Sequence, residues 1–501
     1  MALRTPLPKI CIALGFPETA KLLDHARHEV EAGERFLEFR LDYLSRPEDG
    51  LQAIRQFVSE HPEVTLLATC RRHQNRGRFN GSVEEQIRLL ESAVDAGARA
   101  VDVEVESAEA VGVKLEALRG RTCFILSYHN YESTPALEPV FRRMTKVPAD
   151  AYKIVTTARK PSDMAKIQAL AKAHPKSHFI LLAMGEIGFP TRVLSPSWGG
   201  TYTYAAPNAA EGTAAGQMCA RLLRTLYRID KFTKAGKVYG VIADPVRHSI
   251  SPAVHNRAFQ SKRLDAIYLP FLVHPPHLKD FFTMAEALGV QGASVTIPHK
   301  QKVIRYLDMV DPLARRIGAV NTIWRKAGRW RGTNTDVEGI TGPLGRRIRL
   351  SKSSILVVGN GGAARGATFA LTDAGAKVAL VGRNPDRVRA LSKVSGAEPL
   401  LKEQLALRRF DAVVHATPLG MYPYVNECFF EGDIPSDLVF DMVYNPLETA
   451  LLKRAREQGA DVINGLEMFL VQAAHQFTIW TGENAPQPAM EKAALEALGH
   501  Y

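Results

Sequence analysis

A lysine between Tyr152 and Ile154, in the otherwise apolar run Ala151–Thr157, is the residue of this 501-residue chain whose setting most directly suggests covalent chemistry. Burial disfavours the charged form of an amine, and the free amine of Lys153 would add to a ketone as a Schiff base. One apolar run earlier the chain reads Ser127-Tyr128-His129, placing a histidine with a suitable unperturbed pKa where it could accept a proton. A second lysine, Lys300, closes the strand-like Gln291–Lys300 (QGASVTIPHK), and Asn321 (AVNT) and Asp336 (GTNTDVEG) follow in polar turns. A lysine and a carboxylate on separate turns are most often solvated, but this pair precedes a nucleotide signature. Gly359-Asn-Gly361-Gly362-Ala363-Ala364 links the apolar Ser354–Val358 to a helical pattern at Arg365–Ala374. Glycines there permit a tight turn and close approach of a pyrophosphate to a helix N-terminus. The following strand, Lys377–Val381, leads to Gly382-Arg383-Asn384-Pro-Asp-Arg387, with arginine where an NAD site usually carries an acidic residue. A guanidinium pairs well with a 2′-phosphate, which favours NADP; the plainer reading of Arg383 is a solvated turn. Ser249 and Ser251, just before the helix-like Ala253–Gln260, suit either N-capping or a carboxylate held at the helix start.

These residues need a scaffold, and the chain supplies two. Eight apolar runs, Lys9–Gly15, Arg35–Tyr43, Val64–Arg71, Ala100–Val105, Thr122–Tyr128, Ala151–Thr157, His178–Met184 and Thr201–Ala205, alternate with helical patterns such as Val83–Ala96 and Asp163–Ala173. Eight such units predict an α/β fold, a (β/α)8 barrel with its chemistry at the C-terminal strand ends. Those ends carry Glu38, Arg40, Asp42, Arg71, Glu104 and His129, with Lys153 inside the sixth run. The stretch Tyr227–Pro252 then marks a change of programme. Polar Asp230–Gly236 reads as a tether, and the apolar Lys237–Ala243 opens a second α/β region that includes strands at Asp411–Ala416 and Leu438–Val443. The expected division is 1–229 for the barrel, 230–236 for the linker, 237–336 for a substrate domain completed by helices at about 466–501, and 337–465 for a Rossmann domain.

Composition narrows the function classes. The chain is 46% hydrophobic and 23% charged, as in ordinary globular proteins, and is too long for one core. No apolar run reaches the roughly 18 residues of a membrane span, and Met1–Lys9 lacks a signal-peptide core. Five scattered cysteines fit neither a disulfide framework nor a metal-spaced set, so reduced thiols, a cytoplasmic setting and no bound metal are expected. The net charge of +12 is spread along the chain without an aromatic-interleaved patch, which favours small anions over nucleic acid or membrane.

Phe36–Tyr43 (FLEFRLDY), Ser127–Pro135 (SYHNYESTP), Tyr152–Ile154 and Met184–Gln217 resemble type I 3-dehydroquinate dehydratase across residues 1–229. The resemblance implies an imine between Lys153 and the C3 ketone, with His129 removing the C2 proton and then protonating the departing C1 hydroxyl. It also implies Arg192 on the substrate carboxylate, and Glu38, Arg40, Arg71, Thr213 and Gln217 as further substrate contacts. Asn75 stands where that family commonly has glutamate, and Thr213 where serine is usual. Residues 237–501 resemble shikimate dehydrogenase, through the paired serines, VTIPHK, AVNT, GTNTD, the glycine turn, ATPLGM and Gly465–Ala474. That likeness implies Ser249, Ser251, Thr296, Asn321 and Gln472 on substrate and Lys300 with Asp336 in catalysis. For the cofactor it implies Gly359, Gly361, Gly362, Ala363, Ala364, Arg383, Asn384 and Arg387, with Thr417, Gly465 and Met468 lining the nicotinamide region. His415 replaces a common asparagine. Together the two halves resemble a fused enzyme that dehydrates 3-dehydroquinate to 3-dehydroshikimate and reduces that with NADPH to shikimate. Two other readings are a degenerate ligand-sensing regulator, disfavoured by survival of both lysines, His129 and Asp336, and a quinate-preferring NAD(P) dehydrogenase, disfavoured by Arg383 and the paired serines.

Overall fold

The computed structural model describes residues 7–499 except 209, 211 and 215, so the first six residues of the Met1–Lys9 stretch lie outside the described residues. Two compact units are present: the chain up to Lys237 together with Pro270–Gly289, and Val238–Leu269 together with the chain from Val290 onward.

The first unit contains an eight-stranded parallel sheet, β1 (Ile10–Leu14), β2 (Phe36–Arg40), β3 (Thr65–Thr69), β4 (Ala100–Glu104), β5 (Cys123–His129), β6 (Ala151–Thr157), β7 (Phe179–Met184) and β8 (Thr203–Ala205). Strands β1 to β7 pair in sequence order and β8 returns to β1. A bridge between Phe179 and Gly200 brings β7 beside β8, so the sheet all but closes into the expected barrel. Its interior obeys the period of two of β structure. The lower layer is apolar, with Phe36, Leu67, Ala100, Ile125, Ala151, Ile180 and Tyr202 packed together. Two residues further along the same strands stand Glu38, Thr69, Asp102, Ser127, Lys153, Leu182 and Tyr204. The apolar floor thus hands over to a polar layer at the C-terminal strand ends. Asp230–Gly236, expected as a tether, forms turns: Phe232 is buried and Arg224 pairs with Asp230.

The second unit holds most of a six-stranded mixed sheet, β9 (Lys237–Ala243), β10 (Ala266–Leu272), β11 (Val290–Val295), β12 (Met309–Val310), β13 (Thr322–Lys326) and β14 (Arg329–Thr333), in the order β10-β9-β11-β13-β14-β12. A parallel sheet follows, made of β15 (Ser354–Val358), β16 (Lys377–Val381), β17 (Glu398–Pro399), β18 (Ala412–His415), β19 (Leu438–Asp441) and β20 (Asp461–Ile463). Its order, β17-β16-β15-β18-β19-β20, is the doubly wound arrangement whose direction reverses between β15 and β18, and a ligand crevice opens at such a reversal. Strands β15, β16, β18 and β19 are buried along nearly their whole length, which accounts for their unbroken Val/Ile/Leu character. Helix Gly465–Thr481 packs along helix Asp336–Gly345, where Gly339 admits Met468 and Gln472.

Candidate active sites

In the barrel, one cavity at the C-terminal strand ends is lined by Glu38, Arg40, Arg71, His129, Lys153, Arg192, Thr213 and Gln217, among others. All eight residues expected to contact substrate or catalyse in this half therefore meet in one place. Lys153 is buried, and its Nζ lies 2.7 Å from Asp102 Oδ2 and 2.9 Å from the Tyr204 hydroxyl. Asp102 is the hub: its Oδ1 accepts from Ser127 Oγ at 2.6 Å and from Arg71 Nη2 at 3.0 Å. Burial raises the Asp102 carboxyl, but Lys153 and Arg71 outweigh burial and hold it far below the usual carboxylate range. Glu38 accepts from Thr69 Oγ1 at 2.6 Å and from Tyr204 at 3.3 Å. Arg40 forms a two-pronged pair with Asp42, both contacts at 2.9 Å. Glu104 accepts from Gln86 Nε2 at 2.6 Å and from the Arg72 amide at 3.0 Å.

His129 differs from its sequence expectation. Burial first, then Arg71 and Lys153, push it well below the ordinary histidine value, so the ring is neutral far into acid. Arg71 Nη1 lies 2.8 Å from its Nε2. A guanidinium only donates, so Nε2 accepts and the ring proton sits on Nδ1. Nδ1 is buried without a hydrogen-bond partner among the described residues. Tyr131 stacks on the ring at 5.8 Å and donates its hydroxyl to the Asn75 carbonyl at 2.7 Å. Arg192 is fully buried in helix Phe189–Leu194, and burial lowers it to about 10, a guanidinium stripped of water and suited to a carboxylate.

The second unit assembles the other lysine. Lys300 Nζ lies 2.6 Å from Asp336 Oδ2, and Asn321 Nδ2 donates to Asp336 Oδ1 at 2.8 Å. Asn321 is itself held by Thr322 Oγ1 at 2.7 Å and by the Thr335 amide at 2.8 Å. Asn321 and Asp336 are buried and Lys300 is partly open, so the pair faces outward on one side only. Ser249 Oγ accepts from the Ser251 amide at 3.3 Å, but helix Ser251–Ser261 has no side-chain cap, so N-capping does not account for the two hydroxyls. Thr296 follows β11, its amide bonded to the Ile242 carbonyl at 3.1 Å. Gln472 is half-buried and donates to the Phe469 carbonyl at 3.1 Å.

At the sheet reversal, Gly359 has φ of +131°, and a Cβ there would lie 2.7 Å from the Ala416 carbonyl oxygen. Glycine is required at that position. Gly361 precedes helix Gly362–Asp373, and a Cβ on it would meet nothing within 4 Å. This leaves a bare cradle at a helix N-terminus, the form a pyrophosphate needs. Ala363 and Ala364 open that helix, with Ala364 buried under Gly359, and Lys300 Cβ comes within 3.9 Å of a Cβ built on Gly362. Arg383 is exposed on the neighbouring turn, Asn384 caps helix Pro385–Ser395 through the Arg387 amide, and Asn360 Nδ2 donates to the Asn384 carbonyl at 3.3 Å. Gly465 presses on Met442, where a Cβ would lie 2.4 Å from the carbonyl oxygen, and Met468 is buried one turn further on.

Sequence reasoning missed Asp102, Ser127 and Tyr204 as site residues. Asp102 and Glu104 alternate in the apolar AVDVEV, a two-residue period that aims both into the barrel. In the second unit it missed Thr322, the neighbour of Asn321 in sequence, and Thr335, which only the fold brings onto Asn321.

Residues 10–234 match the family described as type I 3-dehydroquinase. Residues 241–323 match the shikimate dehydrogenase substrate binding domain, and 465–495 the shikimate 5′-dehydrogenase C-terminal domain. The bifunctional 3-dehydroquinate dehydratase/shikimate dehydrogenase of Arabidopsis thaliana, described as chloroplastic, is 33% identical over 95% of this chain and 83% of its own. A Methanosarcina acetivorans shikimate dehydrogenase (NADP(+)) is 41% identical over 52% of this chain and 99% of its own. A Thermus thermophilus shikimate 5-dehydrogenase, solved with NADP(H) and shikimate, aligns with a TM-score of 0.50 at 34% identity, over 52% of this chain and all of the other.

Proposed function

Because this chain belongs to the bifunctional 3-dehydroquinate dehydratase/shikimate dehydrogenase family, we propose that it carries out both reactions in sequence, with Lys153 and Lys300 at two separate centres. The observation that carries this reading is that each lysine stands in an assembled cluster of its own. Lys153 sits 2.7 Å from Asp102 beside His129, and Lys300 sits 2.6 Å from Asp336 beside the glycine cradle.

In the barrel, Arg192 receives the substrate carboxylate. Lys153 Nζ adds to the C3 ketone of 3-dehydroquinate and, with loss of water, forms an imine whose protonated form acidifies the C2 hydrogens. With substrate bound, Arg71 gives up the His129 Nε2 lone pair, and His129 takes one C2 proton there and passes it to the C1 hydroxyl, which leaves as water. Hydrolysis of the imine frees 3-dehydroshikimate and Lys153. Asp102 stabilises the nitrogen in its two charged forms, the ammonium before addition and the iminium after it, while the two protons the ammonium gives up leave on the ketone oxygen as water; Arg71 steers the His129 ring.

In the second unit, NADP is the cofactor. The residues fit it: the bare Gly361 cradle and the first amides of helix Gly362–Asp373 suit the pyrophosphate, and Arg383 suits the 2′-phosphate. The bound cofactor supplies a hydride. Ser249 and Ser251 hold the substrate carboxylate, and Thr296, Asn321 and Gln472 hold its ring oxygens. Lys300 Nζ gives a proton to the carbonyl oxygen as it becomes an alcohol, and Asp336 keeps that ammonium in place. Among the described residues, no helix is long and apolar enough to cross a membrane.

Borohydride added together with 3-dehydroquinate should reduce the imine and leave substrate mass on the peptide containing Lys153. Dehydration that proceeds without such labelling, or with labelling elsewhere, would remove the Schiff base from the reading.

A further inference from the structure

A buried relay at the C-terminal ends of β18 and β19 belongs to neither lysine cluster. His415 Nδ1 lies 2.9 Å from Asp441 Oδ1, and His415 Nε2 lies 2.6 Å from Thr417 Oγ1. Asp441 is fully buried and His415 almost so. Asp441 also accepts from the Val443 amide at 3.0 Å and from Thr449 Oγ1 at 2.6 Å, where Thr449 caps helix Ala450–Glu457. The Val443 amide and the Thr449 hydroxyl both donate to Asp441, which is the environment of a carboxylate.

The direction of each proton follows. A carboxylate only accepts, so His415 Nδ1 must carry hydrogen. In the neutral ring Nε2 is then an acceptor, and its partner, the Thr417 hydroxyl, must donate. The Thr417 hydrogen is therefore committed inward. Its oxygen already accepts the Leu419 amide at 3.2 Å, which leaves one lone pair for a further donor. Thr417 is half-buried and lies two residues past β18, next to Ala416, whose carbonyl packs on Gly359 where the sheet order reverses and the ligand crevice lies.

We infer that Asp441 and His415 fix Thr417 Oγ1 as an obligate hydrogen-bond acceptor for the nicotinamide half of the bound cofactor, with the carboxamide N–H as the donor it takes. His415 acts through Thr417 and is a positioning residue. An asparagine at position 415 would have an amide that can either donate or accept; the histidine, pinned by Asp441, has one polarity only.

This inference rests on the NADP assignment, and the experiment separates the two. Binding of NADP+, of its 3-acetylpyridine analogue (which lacks the carboxamide N–H) and of 2′,5′-ADP (which lacks the nicotinamide) is measured calorimetrically for the full chain, Thr417→Val and His415→Leu. Each variant should bind NADP+ roughly 3- to 10-fold more weakly, the range for one neutral hydrogen bond. Affinity for 2′,5′-ADP should be unchanged, which also shows the variants folded, and the analogue should bind all three proteins alike. In histidine-15N-labelled protein, the His415 signal, assigned by its loss in His415→Leu, should show a protonated Nδ1 and a bare Nε2. A protonated Nε2, or variants that weaken NADP+ and the analogue equally, would overturn the relay. Failure of the unsubstituted chain to bind either NADP+ or 2′,5′-ADP would instead overturn the cofactor assignment on which it rests.

Discussion

Replacing Asp102 with asparagine keeps the side chain's shape and removes the anion shared by two buried cations. At an effective dielectric constant of 20, an ammonium 2.7 Å away and a guanidinium 3.0 Å away are each attracted to the carboxylate by about 6 kcal/mol. Desolvation of each ion consumes several kcal/mol of that attraction, so the intact cluster adds little net stability. Breaking it is different, because Lys153 and Arg71 are left buried without their anion, beside an amide that keeps one acceptor oxygen and turns a donor on the other cation. The expected loss is about 3–5 kcal/mol. Native-state hydrogen exchange on the full chain reads this locally: peptides from β3 to β6 should exchange roughly 100- to 5,000-fold faster, with peptides of β15 to β20 unchanged. Lys153→Met in the same background should restore part of the loss, a coupling of about 2 kcal/mol or more, since it removes one stranded charge. The depressed Asp102 carboxyl fixes the pH window: its folded value lies below the unfolded one, so its contribution is complete above about pH 4 and disappears only in strong acid. A loss under about 1 kcal/mol at neutral pH, or strict additivity with Lys153→Met, would refute the view that Asp102 holds the two cations.

Two further outcomes follow from the same geometry. Arg383→Ala should raise KM for NADPH far more than for NADH, by roughly 10-fold or more for a lost charge-assisted contact, since only NADPH carries the 2′-phosphate; an equal rise for both would make Arg383 a solvated turn residue. The pH profile of dehydration should show no acid limb near 6.5, because burial with Arg71 and Lys153 keeps His129 neutral well below that pH, and Arg71→Leu should bring such a limb up toward neutrality.

The barrel was legible because eight apolar runs at regular spacing leave little other choice, and the strand ends fall within two residues of those runs except at β2, which stops three residues before Tyr43. The strand-end residues were legible for the same reason: a period of two carries Phe36 to Glu38 to Arg40, and Ala151 to Lys153. Asp102 obeys that period as well, yet in AVDVEV it reads as one carboxylate among apolar neighbours until the sheet curls and brings it to Lys153, 51 positions away. The acid–base setting of His129 could not be read locally, since it depends on Arg71 from two strands away and on burial. Asp230–Gly236 looked like a free tether from composition, whereas its one aromatic residue, Phe232, finds cover and Arg224 reaches back to Asp230. His415 stood out only by its type; its partner Asp441 lies on the next strand, in register with it.

The most direct test of two independent centres on one chain uses Lys153→Ala and Lys300→Ala, each assayed alone and then mixed. Lys153→Ala should lose dehydration while still reducing 3-dehydroshikimate with NADPH. Lys300→Ala should dehydrate normally while reduction falls by orders of magnitude, with NADPH affinity little changed. Mixed in equal amounts and given 3-dehydroquinate and NADPH, the two variants should make shikimate, because the intermediate can pass from one molecule to the other through solution. Loss of both activities from either substitution, in protein shown to be folded, would contradict the assignment of the two reactions to separate sites.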